Sequence, residues 1–350
     1  MKIGNREIGV GHPCYIVAEL SANHGGSLDQ AIATVRAMKE SGADAVKVQT
    51  YTADTLTLPC RREPFVVTGG TLWDGRTLHD LYQEASMPWE WQPILQKVSL
   101  ELGMDFFSTP FDPTSVDFLE SLHVPVHKVA SFEIVDLPLL RKIAATRKPI
   151  IMSTGMATIE EISEAMETLK AAQSGPVVLL KCTSAYPASA SDMDLRTIPD
   201  MAERFGVAVG LSDHTMGHVV PVTAVTLGAC VVEKHFILSR SIPGPDSSFS
   251  MEPEEFRLMV DAIRTAEQAL GRVNYEVSEK EIKSRAFRRS LFVSADVKKG
   301  EPFTENNVRS IRPSNGLHPR HFEEVLEGCA TRDIEAGTPL EFSLIQKRVR

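Results

Sequence analysis

The sequence predicts a parallel (β/α)8 barrel followed by a small, mostly β module. Three observations carry that prediction. A short apolar strand, a polar loop and an amphipathic helix alternate eight times over the first part of the chain, the plan of a barrel of about 250 residues. The strand ends are polar almost every time, as the C-terminal mouth of such a barrel requires. The charge also shifts near residue 280. Residues 281–350 hold 13 Lys/Arg against 10 Asp/Glu, a net +3, whereas the preceding 280 hold 24 against 36, a net −12. The chain thus reads as a barrel over 1–280, a charged linker over 281–291 and a module over 292–350. A doubly wound open sheet is the alternative, but no GxGxxG follows the first strand.

The strands read in order as Tyr15–Glu19, Ala45–Thr50, Asp105–Thr109, Pro125–Ala130, Pro149–Thr154, Val177–Cys182, Val207–Ser212 and Cys230–His235. They are β-branched-rich and nearly continuous in apolar character, as strands covered on both faces must be. Between them lie helical patterns such as LDQAIATVRAMKESG and TIEEISEAMETLKAA, the second with Thr158 as N-cap and acids in its first turn. Pro253–Leu270 closes the series. The connection from about 51 to 90 far exceeds the usual 2–6 residues and holds Trp73, Trp89 and Trp91. The last two are read as a satellite cluster that orders the loop.

Composition narrows the function. Hydrophobic residues at 43% and charged residues at 24% exclude a disordered or fibrous chain. No apolar run reaches the roughly 20 residues of a membrane span, and MKIGNREIGVGHP lacks a signal-peptide core. A net charge of −9 argues against a nucleic-acid partner. Five cysteines without a CxxC pair fit reduced thiols in a cytoplasmic protein.

The strand ends supply the candidate chemistry. His214 and His235 end consecutive strands, neighbours in a closed barrel. Two converging imidazoles with carboxylates nearby suit a divalent transition metal, unless each merely caps a strand end. Lys47 and Lys128, with Thr109, Ser131, Ser153 and Ser212, form a cationic, hydroxyl-lined pocket suited to phosphate. A lysine paired with Glu19 or Glu133 as a structural bridge is the plainer reading, and a Schiff-base lysine is a second functional one. Glu19, on strand one, is a general acid/base or a buried ion-pair partner. Gln49 faces the same way as Lys47, and Glu233 the same way as His235. Asp246, in the stiff run IPGPDSS, is a candidate for binding substrate hydroxyls.

The C-terminal module carries an internal repeat. DVKKGEPF at 296–303 matches DIEAGTPL at 333–340, with Val308 and Ile345 at the same offset beyond each. Two copies suggest a compact β module with pseudo-symmetry. The stiff turn IRPSNGLHP presents Arg312, and the positive module would dock on an acidic barrel and bring Arg312 to the mouth.

The motifs AELSANHGG, ADAVKVQTY, FFSTPFD, HKVASFEI, IMSTGMAT, KCTSAYPA, VGLSDHT, VEKHFILSRSIPGPD, RRSLFV and RPSNGLHP occur in this order through nearly the whole chain. Together they resemble the sialic acid synthase family. The resemblance implies a TIM barrel followed by an antifreeze-like (SAF) domain. It implies condensation of phosphoenolpyruvate with an N-acylated amino sugar to a nine-carbon 2-keto acid, with a divalent metal such as Mn²⁺ or Mg²⁺. His214 and His235 then match the metal ligands. Lys47, Thr109, Lys128, Ser131, Ser153 and Ser212 match the phosphoenolpyruvate pocket, and Glu19 an acid that helps proton transfer. Gln49, Glu133, Tyr186 and Asp246 match sugar-side positions. Arg312 matches an arginine supplied by the partner chain in a domain-swapped homodimer. Ser184 stands where many members have Asn, which puts the usual contact there in doubt. Whether Glu19, Glu233 or the metal activates the water stays open. GGTLWDG, MPWEWQ, SFEIVDLPLL and FRRSLFV resemble the branch that uses 2,4-diacetamido-2,4,6-trideoxy-L-altrose, ahead of the legionaminic and N-acetylneuraminic acid branches.

Overall fold

The computed structural model describes residues 1–70 and 73–348, so Thr71 and Leu72 of the GGTLWDG motif lie outside the described residues. The chain forms two compact units that meet in sequence at Gly271 and Arg272.

Eight parallel strands close a barrel in the first unit. They are β1 (Tyr15–Glu19), β2 (Ala45–Thr50), β3 (Asp105–Pro110), β4 (His127–Val129), β5 (Ile150–Ser153), β6 (Val177–Cys182), β7 (Ala208–Asp213) and β8 (Val231–His235). Each pairs with the next in sequence, and β8 returns to β1 with His235 beside Glu19. Eight helices follow them: α1 (Leu28–Glu40), α2 (Gln92–Glu101), α3 (Pro113–Ser121), α4 (Leu137–Ala144), α5 (Ile159–Ala171), α6 (Thr197–Phe205), α7 (Val219–Thr226) and α8 (Pro253–Leu270). Their starts are chemically marked. Thr158 caps α5 reciprocally with Glu161, and Asp112 caps α3 ahead of Pro113.

Alternation along the strands divides the residues between two environments. Ile16, Ala18, Val46, Val48 and Phe106 pack outward with α1, α2 and α8. Tyr15, Val17, Ala45, Phe107, Ile151, Val178, Leu180 and Val231 fill the interior. Ile3, within an N-terminal hairpin, and Ile8, just after it, join that same cluster and plug its lower end. Above this apolar layer the inward positions turn polar, and the site begins there.

The second unit does not open with a bare linker. Ser278 caps a helix at Glu279–Ser284, and strand β9 (Ser290–Val293) starts inside the stretch expected to be linker. The charges of EIKSRAFRRS hide that helix, because its turn is held by a reciprocal Ser278–Glu281 cap and buries no apolar face. β9 pairs with β10 (Val308–Ile311), and β11 (Gly328–Ala330) with β12 (Ile345–Lys347). The two sequence repeats meet at Val297 and Ile334. Asp296 accepts from the Ala336 N–H at 2.9 Å, and Asp333 from the Lys299 N–H at 2.8 Å, so each copy ties down the turn of the other. Gly300 and Gly337 turn the chain at φ +79° and +89°, conformations L side chains rarely adopt. Arg312 is exposed on the loop after β10.

Candidate active site

The top inward layer of the barrel is a buried charge network. Glu19, Lys47, Lys128 and Glu233 are each at most 5% exposed. Lys47 Nζ lies 2.7 Å from Glu19 Oε2 and 3.3 Å from Glu233 Oε1. The first contact is close without hydrogen-bond alignment, and both Glu19 oxygens and Glu233 Oε2 lack a hydrogen-bond partner among the described residues. Lys47 also donates to Thr109 at 3.5 Å, and Ser212 donates to Glu233 at 3.3 Å. Lys128 donates to Ser153 at 2.7 Å and to the Val129 carbonyl at 2.9 Å.

The carboxylates in this network are driven apart. Burial, reinforced by Glu233, pushes Glu19 up to about 7 despite Lys47. Burial would raise Glu233 too, but Lys128 and Lys47 outweigh it and hold that carboxylate below its ordinary value. Burial pulls Lys47 down, but the two glutamates more than compensate, so it stays charged. Burial, with Lys47 repelling it, lowers Lys128. One glutamate suited to carry a proton beside one held ionised is the arrangement of an acid/base site.

Ser131 and Ser184 converge on Gly155. The Ser131 hydroxyl accepts from the Gly155 N–H at 3.1 Å, and Ser184 Oγ is buried without a hydrogen-bond partner among the described residues. A Cβ at Gly155 would collide with both hydroxyls, so glycine keeps this hollow open.

His214 and His235 face each other with ring centroids 5.4 Å apart. His214 Nδ1 lies 3.0 Å from the Thr183 carbonyl, a contact that needs the proton on Nδ1 and leaves Nε2 as the position for a metal. Burial lowers this imidazole, but Cys182 and that carbonyl outweigh it and raise it above its ordinary value. Burial, with His214, Lys47 and Lys234 nearby, holds His235 far below its ordinary value, so its ring is neutral and its 3.6 Å approach to Asp246 is no ion pair. His235 Nδ1 is buried without a hydrogen-bond partner among the described residues. Two imidazoles so placed fit a divalent ion that takes the rest of its ligands from substrate or solvent. Among the described residues, no group of three His, Cys, Asp or Glu side chains forms a closed metal cage.

Beside the imidazoles opens a cavity of about 380 Å³ that takes in Gln49, Tyr186, His235 and Asp246. Tyr186 lies with its ring centroid 4.4 Å from that of His214. Burial pushes Glu133, next to this region on the loop after β4, up to about 7, with Oε2 lacking a hydrogen-bond partner among the described residues. A wider groove of about 970 Å³ lies at the other end of the barrel, lined by Arg6, Arg264 and Glu267 but by none of the strand-end candidates.

The barrel thus gathers every candidate except Arg312, which belongs to the second unit. Of the tryptophans, Trp73 reaches the cavity, its ring 6.1 Å from Tyr186. Trp89 packs on Phe118 at 4.9 Å and Trp91 on His24 at 5.6 Å, as a loop-ordering cluster would. Two site residues were missed. Ser21 receives a hydrogen bond from Gln49 at 3.0 Å and donates to Asp246. Its position two residues beyond Glu19 was the available signal. Cys182, buried with Sγ 4.0 Å from His214 Nδ1, was visible only as a strand end.

Comparison with known proteins adds an independent line. The model of the NeuB family matches residues 34–275, and that of the SAF domain residues 288–346. The chain is 47% identical over 343 residues to pseudaminic acid synthase of Campylobacter jejuni subsp. jejuni strain 81-176, covering 98% of this chain and 99% of that protein. It is 46% identical over 336 residues to pseudaminic acid synthase of Helicobacter pylori, covering 96% and 98%. The crystal structure of N-acetylneuraminic acid synthetase from Leptospira borgpetersenii, in complex with citrate, superposes with a TM-score of 0.71 at 30% identity, covering 81% of this chain and 94% of that one.

Proposed function

The chain belongs to the NeuB family, and from that premise we propose that it condenses phosphoenolpyruvate with 2,4-diacetamido-2,4,6-trideoxy-L-altrose and water, giving pseudaminic acid and phosphate. The observation that carries this reading is a cationic, hydroxyl-lined hollow beside two imidazoles set edge to face in one barrel mouth. The 47% and 46% identities to pseudaminic acid synthases support the choice of sugar.

Lys47 and Lys128, with Thr109, Ser131, Ser153, Ser184 and Ser212, hold the phosphate and carboxylate of phosphoenolpyruvate in register. His214 and His235 would hold a divalent ion, Mn²⁺ or Mg²⁺, which when bound supplies Lewis-acid polarisation of the sugar's aldehyde. Gln49, Glu133, Tyr186 and Asp246 orient the open-chain sugar. The enol carbon attacks the aldehyde carbon, and a new C–C bond forms. Glu19, protonated near neutrality, delivers a proton to the aldehyde oxygen as it becomes a hydroxyl. Glu233, held ionised between two lysines, takes the proton from the water that adds at the cationic C2. The tetrahedral adduct then loses phosphate by C–O cleavage.

The enzyme is read as a cytoplasmic, domain-swapped homodimer in which the SAF domain of the partner chain supplies an arginine equivalent to Arg312 to the sugar's acetamido group. The net +3 of the second unit against the −12 of the first supports such docking. Mixing Arg312→Ala with Lys128→Ala protein tests it, because only a site shared between chains regains activity in the mixed dimer.

The main test is phosphate release from phosphoenolpyruvate with the altrose, with the corresponding 2,4-diacetamido-2,4,6-trideoxy mannose and with N-acetylmannosamine. The altrose should turn over with the highest kcat/KM. A borohydride-trapped adduct on Lys47 or Lys128 would instead establish a Schiff-base aldolase.

A further inference from the structure

The cavity beside His235 has two unlike ends, and the long connection after β2 builds one of them. Ser21, Gln49, Asp246 and His235 line the polar end. The helix Leu78–Ala85 lines the cavity with one face, joined by Phe132 from the loop after β4, while Tyr51 lies near the charge of Asp246. Leu78, Leu81, Tyr82 and Ala85 all line the cavity, a spacing of i, i+3, i+4 and i+7 that makes a single stripe. An amphipathic helix ordinarily spends that stripe on the protein core, and this one turns it to a ligand-sized space.

The wall is held in place. Thr77 caps the helix by accepting from the Asp80 N–H, and His24 Nε2 lies 3.3 Å from the Ala85 carbonyl at its far end. Trp89 donates to the Tyr51 carbonyl at 3.1 Å, and the Tyr51 ring packs edge-on against both Tyr82 and Phe111.

We infer that this connection, through Leu78, Leu81 and Phe132, is the specificity element of the site. It selects sugars whose end remote from the aldehyde carries methyl or acetyl groups in place of hydroxyls. The inference rests on the synthase reading above. The imidazoles fix the aldehyde at the polar end, so the far carbons of the sugar enter the apolar end. A hydroxyl set against Leu78, Leu81 and Phe132 gives up water without a replacement partner, whereas a methyl gains burial. Pockets of this kind discriminate by about 10- to 200-fold per group.

The test measures phosphate release from phosphoenolpyruvate with the 6-deoxy altrose and with its counterpart carrying a hydroxyl on C6. The wild-type chain should favour the 6-deoxy sugar in kcat/KM by tenfold or more. Leu78→Asn should cut that preference at least tenfold, mainly by raising KM for the 6-deoxy sugar, and Leu78→Met should keep it. Phe132→Ser, at a position 60% exposed and on a separate loop, should cut it too, which keeps the test informative should Leu78→Asn fold poorly. Equal losses for both sugars in the variants, or no preference in the wild type, overturn the inference alone. A wild-type chain that releases phosphate with neither sugar overturns the synthase reading together with it.

Discussion

Glu233 and Lys234 are neighbours on β8 and point to opposite faces, so one strand serves two buried charge clusters. On the outer face Lys234 pairs with Asp213 at 2.5 Å and donates to the Thr215 carbonyl, while Asp213 also accepts from the Thr215 N–H and hydroxyl. That cluster is closed. On the inner face Glu233 shares Lys47 with Glu19, and three carboxylate oxygens lack a hydrogen-bond partner among the described residues. Burial is similar in both places, with every one of these groups at most 5% exposed. The difference lies in satisfaction. A buried charge whose bonds are all made locks strands together, whereas one with bonding capacity in reserve is costly to the fold and useful to a substrate.

The contrast can be broken by experiment, starting with the largest effect. Stripping divalent ions with a chelator should abolish phosphate release, and Mn²⁺ or Mg²⁺ should restore it to the wild type but not to His235→Ala. Retained turnover in the chelated enzyme would remove the two imidazoles from the chemistry. Lys128→Met should lower kcat/KM by about a thousandfold, as loss of a charge-stabilising group does, with a melting temperature close to that of the wild type. A matching loss of melting temperature would make the inner cluster structural after all.

The outer cluster should behave in the reverse way. Lys234→Met leaves Asp213 buried without its counter-charge and should cost about 3–5 kcal/mol of stability by denaturant titration. Its kcat/KM, measured where the variant is still folded, should change only a few-fold.

The smallest effect is on pH. Burial raises Glu19 and Glu133 from 4.5 to about 7. Between those values the folded chain holds protons that the unfolded chain has released. Their contribution to stability is therefore full below 4.5 and is lost as the pH climbs to about 7. Melting temperatures taken from pH 5 to pH 8 should fall on this account, and Glu133→Gln should flatten part of the slope. An unchanged slope in that variant would show Glu133 ionised throughout.

Much of this was legible in the chain because barrels repeat. Once Ala45–Thr50 and Cys230–His235 are read as strands, period-two alternation sends Lys47, Gln49, Glu233 and His235 to one side without reference to any contact. The module at the C-terminus was legible through its D-[VI]-x-x-G-x-P-[FL] repeat, whose aspartates and glycines hold the paired turns. The helix at Glu279–Ser284 was not, because its sequence is charged on every side and shows no apolar period. Ser21 was not either, since its value to the site comes from Gln49 and Asp246, 28 and 225 residues away.

The sequence by itself determined the strands, their order, the mouth at which the polar residues collect and the family to which the chain belongs. These follow from local periodicity and from short motifs, and local signals survive without coordinates. Only the tertiary structure decided that burial and neighbouring charges push Glu19 up and Glu233 down, that the bonds around Lys234 are closed while those around Glu233 are not, and that the helix after Thr77 lines the cavity with its apolar stripe. Burial and distance to other charges set each of these outcomes, and both are properties of residues brought together from across the chain.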